Sequence, residues 1–373
     1  MTAAGCPCDL YDLMSSTRFP VLQADRAPHP DPVLEAKYWS VYAYRHFVDR
    51  NHLLGVKRRV EASLLEQSRV HGEGELGDIP RVPADTISVE EFQSVYVEGN
   101  IPVVLEGFAR DWPAVRKWSP EYFKEQFGHQ SVRARADSRS VTDFTLEDTS
   151  LADLIDDICA GGKMSANGWE DFFNNNPQLR EDLGIANMGD YLVHKKNRKG
   201  IKGRILGRIL STQMFMQNQT CCTGWHCASG VNLFANIYGR KRWLMAAPRH
   251  MIWMYPVIHR DLHVHLSHVD HRKTHAELAA EGYELYQYVP KYTTVLEPGD
   301  VIYVPLWWWH AVDNESVAIG VAHRGVNDMF GGHPLASILG MLSTTSAKMM
   351  LSILTTGWGT DKPMEKYGQD ATP

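Results

Sequence analysis

Histidine is the commonest metal ligand in proteins and a frequent proton carrier. This chain of 373 residues holds 17 of them, together with 11 tryptophans. What chemistry they can do depends on which of them converge. Two segments stand out. TCCTGWHCASGVNLFANIYGRKRWLMAAP, residues 220–248, carries His226, with Asn232 and Lys241 downstream, the lysine just after a Gly239-Arg240 turn. LEPGDVIYVPLWWWHAV, residues 296–312, has a Pro298-Gly299-Asp300 turn feeding a strand that ends in Trp307-Trp308-Trp309-His310. If both histidines stand on strands of one β-barrel, they can meet at its mouth. The other concentration, His250, His259, His263, His265, His268, His271 and His275, has spacings too weak to define a metal site and reads as a polar, partly exposed loop.

The elements that must position these residues follow from local patterning. From Thr212 to Gly325 short β-rich runs (VNLFANIY, RWLMAAP, TTVLEPG, DVIYVPLWWW, VAIGVAHRG) alternate with Gly, Pro, Asp and Asn, which suits an antiparallel sandwich or small barrel. Ahead of them, Val33 to Gln67 repeats apolar residues at helical spacing, with Tyr38, Trp39, Tyr42, Phe47, Leu53, Leu54 and Leu64 among them. HGEGELGDIPRVP is a linker by its Gly and Pro content. Ile101 to Glu106 is a short strand closed by Gly107. Ser119 before Pro120 and Glu121 marks a helix N-cap and first turn. Residues 145–200 read as helix and loop.

Composition excludes several classes. With 44% apolar and 10% aromatic residues the chain is globular rather than disordered, and a net charge of −6 gives no bulk attraction for nucleic acid or anionic membrane. The N-terminus, MTAAGCPCDLYDLMSS, lacks the charged start and apolar stretch of a secretory signal. The six cysteines fit neither a zinc site nor a disulfide framework, so an intracellular, cytoplasmic setting is expected. Met329 to Ala347 carries no charged residue but is interrupted by Gly331, Gly332 and Pro334. It reads as a packing or dimerising helix, not a membrane span. The basic run from His194 to Arg208 reads as a solvated loop or a docking strip for an acidic partner.

Three separated blocks, NIPVVLEGFARDWPAVRKWSPEYFKEQFG and the two segments above, resemble in order and content the JmjC and cupin-like family of Fe(II)/2-oxoglutarate-dependent oxygenases, near its asparaginyl-hydroxylase-like branch. The resemblance runs from about residue 85 to about 325. It implies an all-β core, a double-stranded β-helix (jelly-roll) of residues 212–326. Before it would come an N-terminal arm and helix (1–80) and a helical or mixed part (81–211), and after it a helical tail (327–373). It also implies Fe(II) on His226 and His310, with 2-oxoglutarate anchored by Thr223 and Lys241 and with Asn232 near its chelating end. A second asparagine, expected on SVAIGVAHRG, is not evident.

One departure matters. The family's third ligand is a carboxylate two residues after the first histidine, where strand alternation sends both side chains the same way. Here that residue is Ala228. Three readings follow. An exogenous anion such as chloride takes the place, as in halogenases of another branch that carry His-x-Ala or His-x-Gly. Water or another side chain, Asp313 or Glu315, completes the site. Or the domain is an inert, cupin-like binding protein. Cys227 has the wrong parity to substitute. One of Trp307, Trp308 and Trp309 would line the substrate pocket. Substrates open to the fold are small molecules, carrier-bound groups and peptides.

Overall fold

The computed structural model describes residues 19–22, 31–49, 51–136, 145–192, 209–257 and 264–325. The basic run 194–208, the tail beyond Gly325, and both His259 and His263 lie outside these residues.

Two large sheets face one another. One is built in the order β1 (Leu76–Asp78), β12 (Lys291–Leu296), β10 (Lys241–Ala246), β14 (Trp309–Asn314), β8 (Cys222–Ala228), β11 (Val264–Leu266). The other runs β2 (Arg81–Pro83), β3 (Val103–Glu106), β13 (Val301–Val304), β9 (Val231–Tyr238), β15 (Ala318–Gly325), β7 (Ile209–Gln217), β6 (Ala166–Trp169). From β7 to β10 and again from β12 to β15 the chain changes sheet at every turn, which is jelly-roll winding. A two-stranded ribbon, β4 (Ser131–Ala136) with β5 (Thr145–Ser150), stands beside them.

Strand β9 explains its own composition. VNLFANIY is buried at every position but the last, so both of its faces are covered and the run is apolar without alternation. At its end Gly239 takes φ +71°, and a Cβ there would meet Val317 O at 2.0 Å. Only glycine makes this turn, and the turn delivers Lys241 to the head of β10. The Pro-Gly-Asp turn is locked by Asp300, whose carboxylate accepts from Gly107 N (3.0 Å), Glu297 N (3.2 Å) and Arg81 Nη2 (2.8 Å).

Several expectations change. The helical stretch is two helices, Pro32–Phe47 and Leu54–Arg69, broken where Leu53 turns left-handed at φ 58°. The Gly/Pro-rich linker carries β1 and β2, which extend both sheets by parallel pairing. Two strands, β5 and β6, interrupt the region read as helix and loop. Ser119 does cap its helix, accepting from Tyr122 N at 3.1 Å.

Candidate metal and dicarboxylate site

β8 and β14 are hydrogen-bonded neighbours, and their register sets His310 opposite His226. The ring centroids are 4.0 Å apart. Beyond this pair the register shifts, so that Val312 lies opposite Thr223, and two steps on β14 face three on β8. That bulge reverses the alternation. Thr223 and His226, of opposite parity, therefore line one cavity of about 200 Å³.

Each imidazole is oriented by a backbone carbonyl two residues upstream. His226 Nδ1 lies 3.0 Å from Gly224 O, and His310 Nδ1 lies 2.9 Å from Trp308 O. A carbonyl only accepts, so Nδ1 carries the hydrogen and Nε2 keeps its lone pair. The Trp243 ring stacks on His310 at 5.6 Å. Burial, opposed in part by the Gly224 carbonyl, holds His226 down at about 4. Burial, then the neighbouring His226, holds His310 well below its ordinary value. Both rings are neutral at pH 7, the form that binds metals.

One end of the cavity is a wall of nitrogen donors. Lys241 Nζ donates to Asn314 Oδ1; Asn314 Nδ2 donates to Cys221 O (3.0 Å) and Gln217 Oε1 (3.4 Å). Gln217 Nε2 is buried and has no partner. Burial without a facing carboxylate pulls the Lys241 ammonium down to about 7. Thr223 adds a hydroxyl at the same end, and the facing sheet contributes Asn232, whose Oδ1 is buried and unpartnered, with Phe234 and Arg324. Arg135 of β4 also reaches the cavity.

Unsatisfied donors facing two Nε2 lone pairs suit a dicarboxylate that also chelates a metal. His226 and His310 would hold the ion; Lys241, Gln217 and Thr223 would hold the far carboxylate. The protein would thus supply two metal ligands. Among the described residues no group of three His, Cys, Asp or Glu is placed to hold a metal. Ala228 pairs with Val264, and its carbonyl accepts from Trp307 N at 2.9 Å. Asp313 does not swing in, because both its oxygens lie 3.0 Å from His271 Nε2. Glu315 is engaged by Arg240 and Arg242.

Residues 89–327 match the family model described as a cupin-like domain. The chain belongs to the cupin-like domain family. This cupin-like chain is 26% identical over 253 residues to the Jumonji C domain-containing protein 5 of Drosophila melanogaster, covering 66% of this chain and 59% of that protein. It is also 26% identical over 270 residues to the bifunctional arginine demethylase and lysyl-hydroxylase psr-1 of Caenorhabditis briggsae, covering 66% and 61%. To the lysine-specific demethylase 8 of Xenopus tropicalis it is 25% identical over 236 residues, covering 60% and 48%. The chain thus spans about half to three fifths of the length of these relatives.

Of the six site residues expected from the sequence of the cupin-like core, five (Thr223, His226, Asn232, Lys241 and His310) line one cavity, while Ala228 is not among the lining residues. The tryptophans are not. Trp307, Trp308 and Trp309 are all buried away from the cavity, and Trp243 lines it instead. The histidine-rich segment is mixed: among its described residues His268 and His275 are exposed, as expected of a polar, partly exposed loop, whereas His250 and His265 are buried and His271 packs on Trp225. Sequence reasoning missed Gln217, Asn314 and Arg324. Asn314 had a signal, lying four residues after His310 and so on the same strand face. Among the described residues no helix is long and apolar enough to cross a membrane.

Proposed function

We propose that the chain is an Fe(II)- and 2-oxoglutarate-dependent oxygenase that hydroxylates an unactivated C–H bond. The observation that carries this reading is one cavity with two neutral, Nε2-presenting histidines at one side and the Lys241–Asn314–Gln217 donor wall at its end. The bound ion and 2-oxo acid supply the oxidising power: one oxygen atom of O2 enters the substrate, the other enters succinate, and carbon dioxide leaves. The chain's own residues do the rest. His226 and His310 keep their lone pairs aimed inward because backbone carbonyls hold their Nδ1 hydrogens. Lys241, protonated as the dicarboxylate arrives, matches the far carboxylate, and Thr223 and Gln217 donate to its oxygens. Trp243, Phe234 and Val312 exclude water around the reacting centre. At about 200 Å³ the cavity is below the ~300–1,000 Å³ of sites for drug-sized ligands. It therefore takes the compact cosubstrate and the reacting end of a substrate, whether small molecule, carrier-bound group or peptide. The demethylase and hydroxylase names of the relatives favour hydroxylation over halogen transfer at the open Ala228 position.

The test is succinate release from purified protein with Fe(II), 2-oxoglutarate, oxygen and a substrate library, run with and without chloride, with His310→Ala as control. Iron-dependent succinate that disappears in the variant and accompanies a hydroxylated product is expected. No iron-dependent succinate would make the domain a binding protein, and a chlorinated product would replace hydroxylation by halogen transfer.

A further inference from the structure

Arg324 is the odd member of the cavity. It sits on β15 opposite Asn232 of β9, in the sheet facing the one that carries His226, His310 and Lys241. Its Nε is buried with no hydrogen-bond partner, and among the described residues it forms no ion pair. The carboxylate whose charge reaches it is Glu170, which burial pushes up to about 7. On the other side its positive charge acts on both His226 and His310. A guanidinium left without an acceptor in so closed a place costs free energy, and a bound anion repays it.

Charge counting says which anion. The two negative charges of 2-oxoglutarate offset those of a divalent ion, and the cavity's cations, Lys241 and Arg324 with Arg135 of β4 beside them, are then left to be matched. In a site with an acidic side chain at position 228 one of the two would be matched by the protein. Ala228 provides nothing. Glu170 acts on Arg324 by its charge without an ion pair among the described residues, and Lys241 and Arg324 lie on opposite sheets, so one dicarboxylate seated at the Lys241 end leaves the guanidinium open to a further anion.

We propose that Arg324 anchors a second anion site in this cavity, one that takes a carboxylate of the substrate itself, so that the substrate is a carboxylic acid. A planar guanidinium pairs with a planar carboxylate through two parallel N–H···O bonds, which fixes orientation as well as position. The acid would thereby be held with its neighbouring carbon beside the two histidines. The inference rests on the function proposed above for the seating of 2-oxoglutarate on Lys241.

The experiment is calorimetric titration of the full chain with Fe(II) and saturating 2-oxoglutarate under strict exclusion of oxygen, with acetate as the minimal carboxylate probe and chloride as the bare-anion probe. The wild type binds acetate while 2-oxoglutarate stays bound. Arg324→Gln weakens acetate by at least about tenfold and changes the affinity for 2-oxoglutarate by less than about threefold. Arg324→Lys, which keeps the charge and loses the fork, is intermediate for acetate. It carries the test if the glutamine variant does not fold. Lys241→Met shows the converse pattern. An Arg324→Gln loss of 2-oxoglutarate binding equal to that of Lys241→Met would assign Arg324 to the cosubstrate and overturn the proposal. So would chloride binding tighter than acetate, or no acetate binding at all. If Lys241→Met leaves 2-oxoglutarate affinity unchanged, the seating in the proposed function fails, while the acetate titration still reads Arg324 by itself.

Discussion

Replacing Lys241 by methionine should make the protein more stable while crippling its hold on 2-oxoglutarate. The ammonium is wholly buried, and the loss of hydration brings its pKa from 10.5 to about 7. At ~1.36 kcal/mol per pH unit that is a cost of about 5 kcal/mol to keep the charge folded. Near pH 7 the folded lysine is half neutral and the cost of folding it is about 4 kcal/mol. Methionine removes that cost but strips Asn314 Oδ1 of its donor, which returns ~1–3 kcal/mol. The net gain at pH 7 is about 1–3 kcal/mol. The sign with pH follows from proton counting: between pH 7 and 10.5 the unfolded lysine holds more proton than the folded one. Wild-type stability contributed by this group therefore rises with pH through that window, and the gap to the variant shrinks. Burial lowers Lys291 as well, to about 8, so the variant-minus-wild-type difference is the quantity to follow. Denaturant unfolding at intervals from pH 7 to pH 10 measures it. In the same variant 2-oxoglutarate affinity falls ~10- to 150-fold, the worth of a charge-assisted contact. A methionine variant less stable than wild type at pH 7, or a gap that does not narrow toward pH 10, refutes the reasoning.

Three further outcomes are expected. His310→Ala removes one of two metal-facing nitrogens, so metal affinity measured by equilibrium dialysis falls by more than ~100-fold, beyond what loss of an outer-shell partner does. Asp300→Ala strips acceptors from Gly107 N, Glu297 N and Arg81 at once; equilibrium unfolding should show a loss of about 3 kcal/mol, and a loss under about 1 kcal/mol would mean the turn holds without it. Ala228→Asp adds a carboxylate on the His226 side of β8, so affinity for Fe(II) should rise at least ~10-fold, and unchanged affinity would show that the position does not face the ion.

What was legible in the sequence depended on how local the determinant is. The strand runs, the Gly239 turn and the Asp300 turn are written in consecutive residues and mark the strands that carry His226, Lys241 and His310, which the pairing of β8, β14 and β10 then brings to one cavity. Thr223 was expected there by likeness, but simple alternation from His226 would have turned it away; the bulge that rescues it lies in the register of β8 against β14. Arg324 was invisible for the same reason, since its place depends on β15 pairing with β9. The three tryptophans failed a rule that presumes regular alternation: Trp307 sits at φ 61°, so the side chains before and after it do not follow strand parity. The burial of His250 and His265 within the partly exposed segment was not legible because their cover comes from far away. Tyr42, on the first helix, donates its hydroxyl to Val257 O at 2.9 Å and so roofs the segment next to His265.

Three acids beside the site share a pattern that gives the cavity its character. Asp313 is turned to His271, Glu315 to Arg240 and Arg242, and Asp300 to Arg81. Each is spent on structure, on the far side of the strand from the cavity or at a turn. The cavity keeps Lys241 and Arg324 without ionised partners and two histidines that burial holds neutral. A metal ion entering this arrangement alone meets only two donors and a surrounding positive field. On the function proposed above, a dicarboxylate entering first would cancel that field and would bring its own oxygens as ligands. On that reading the missing acid at position 228 would set the order of assembly: the anion would prepare the site for the cation, and stability given up in burying unpaired ammonium and guanidinium groups would return as binding free energy for the ligands that complete it.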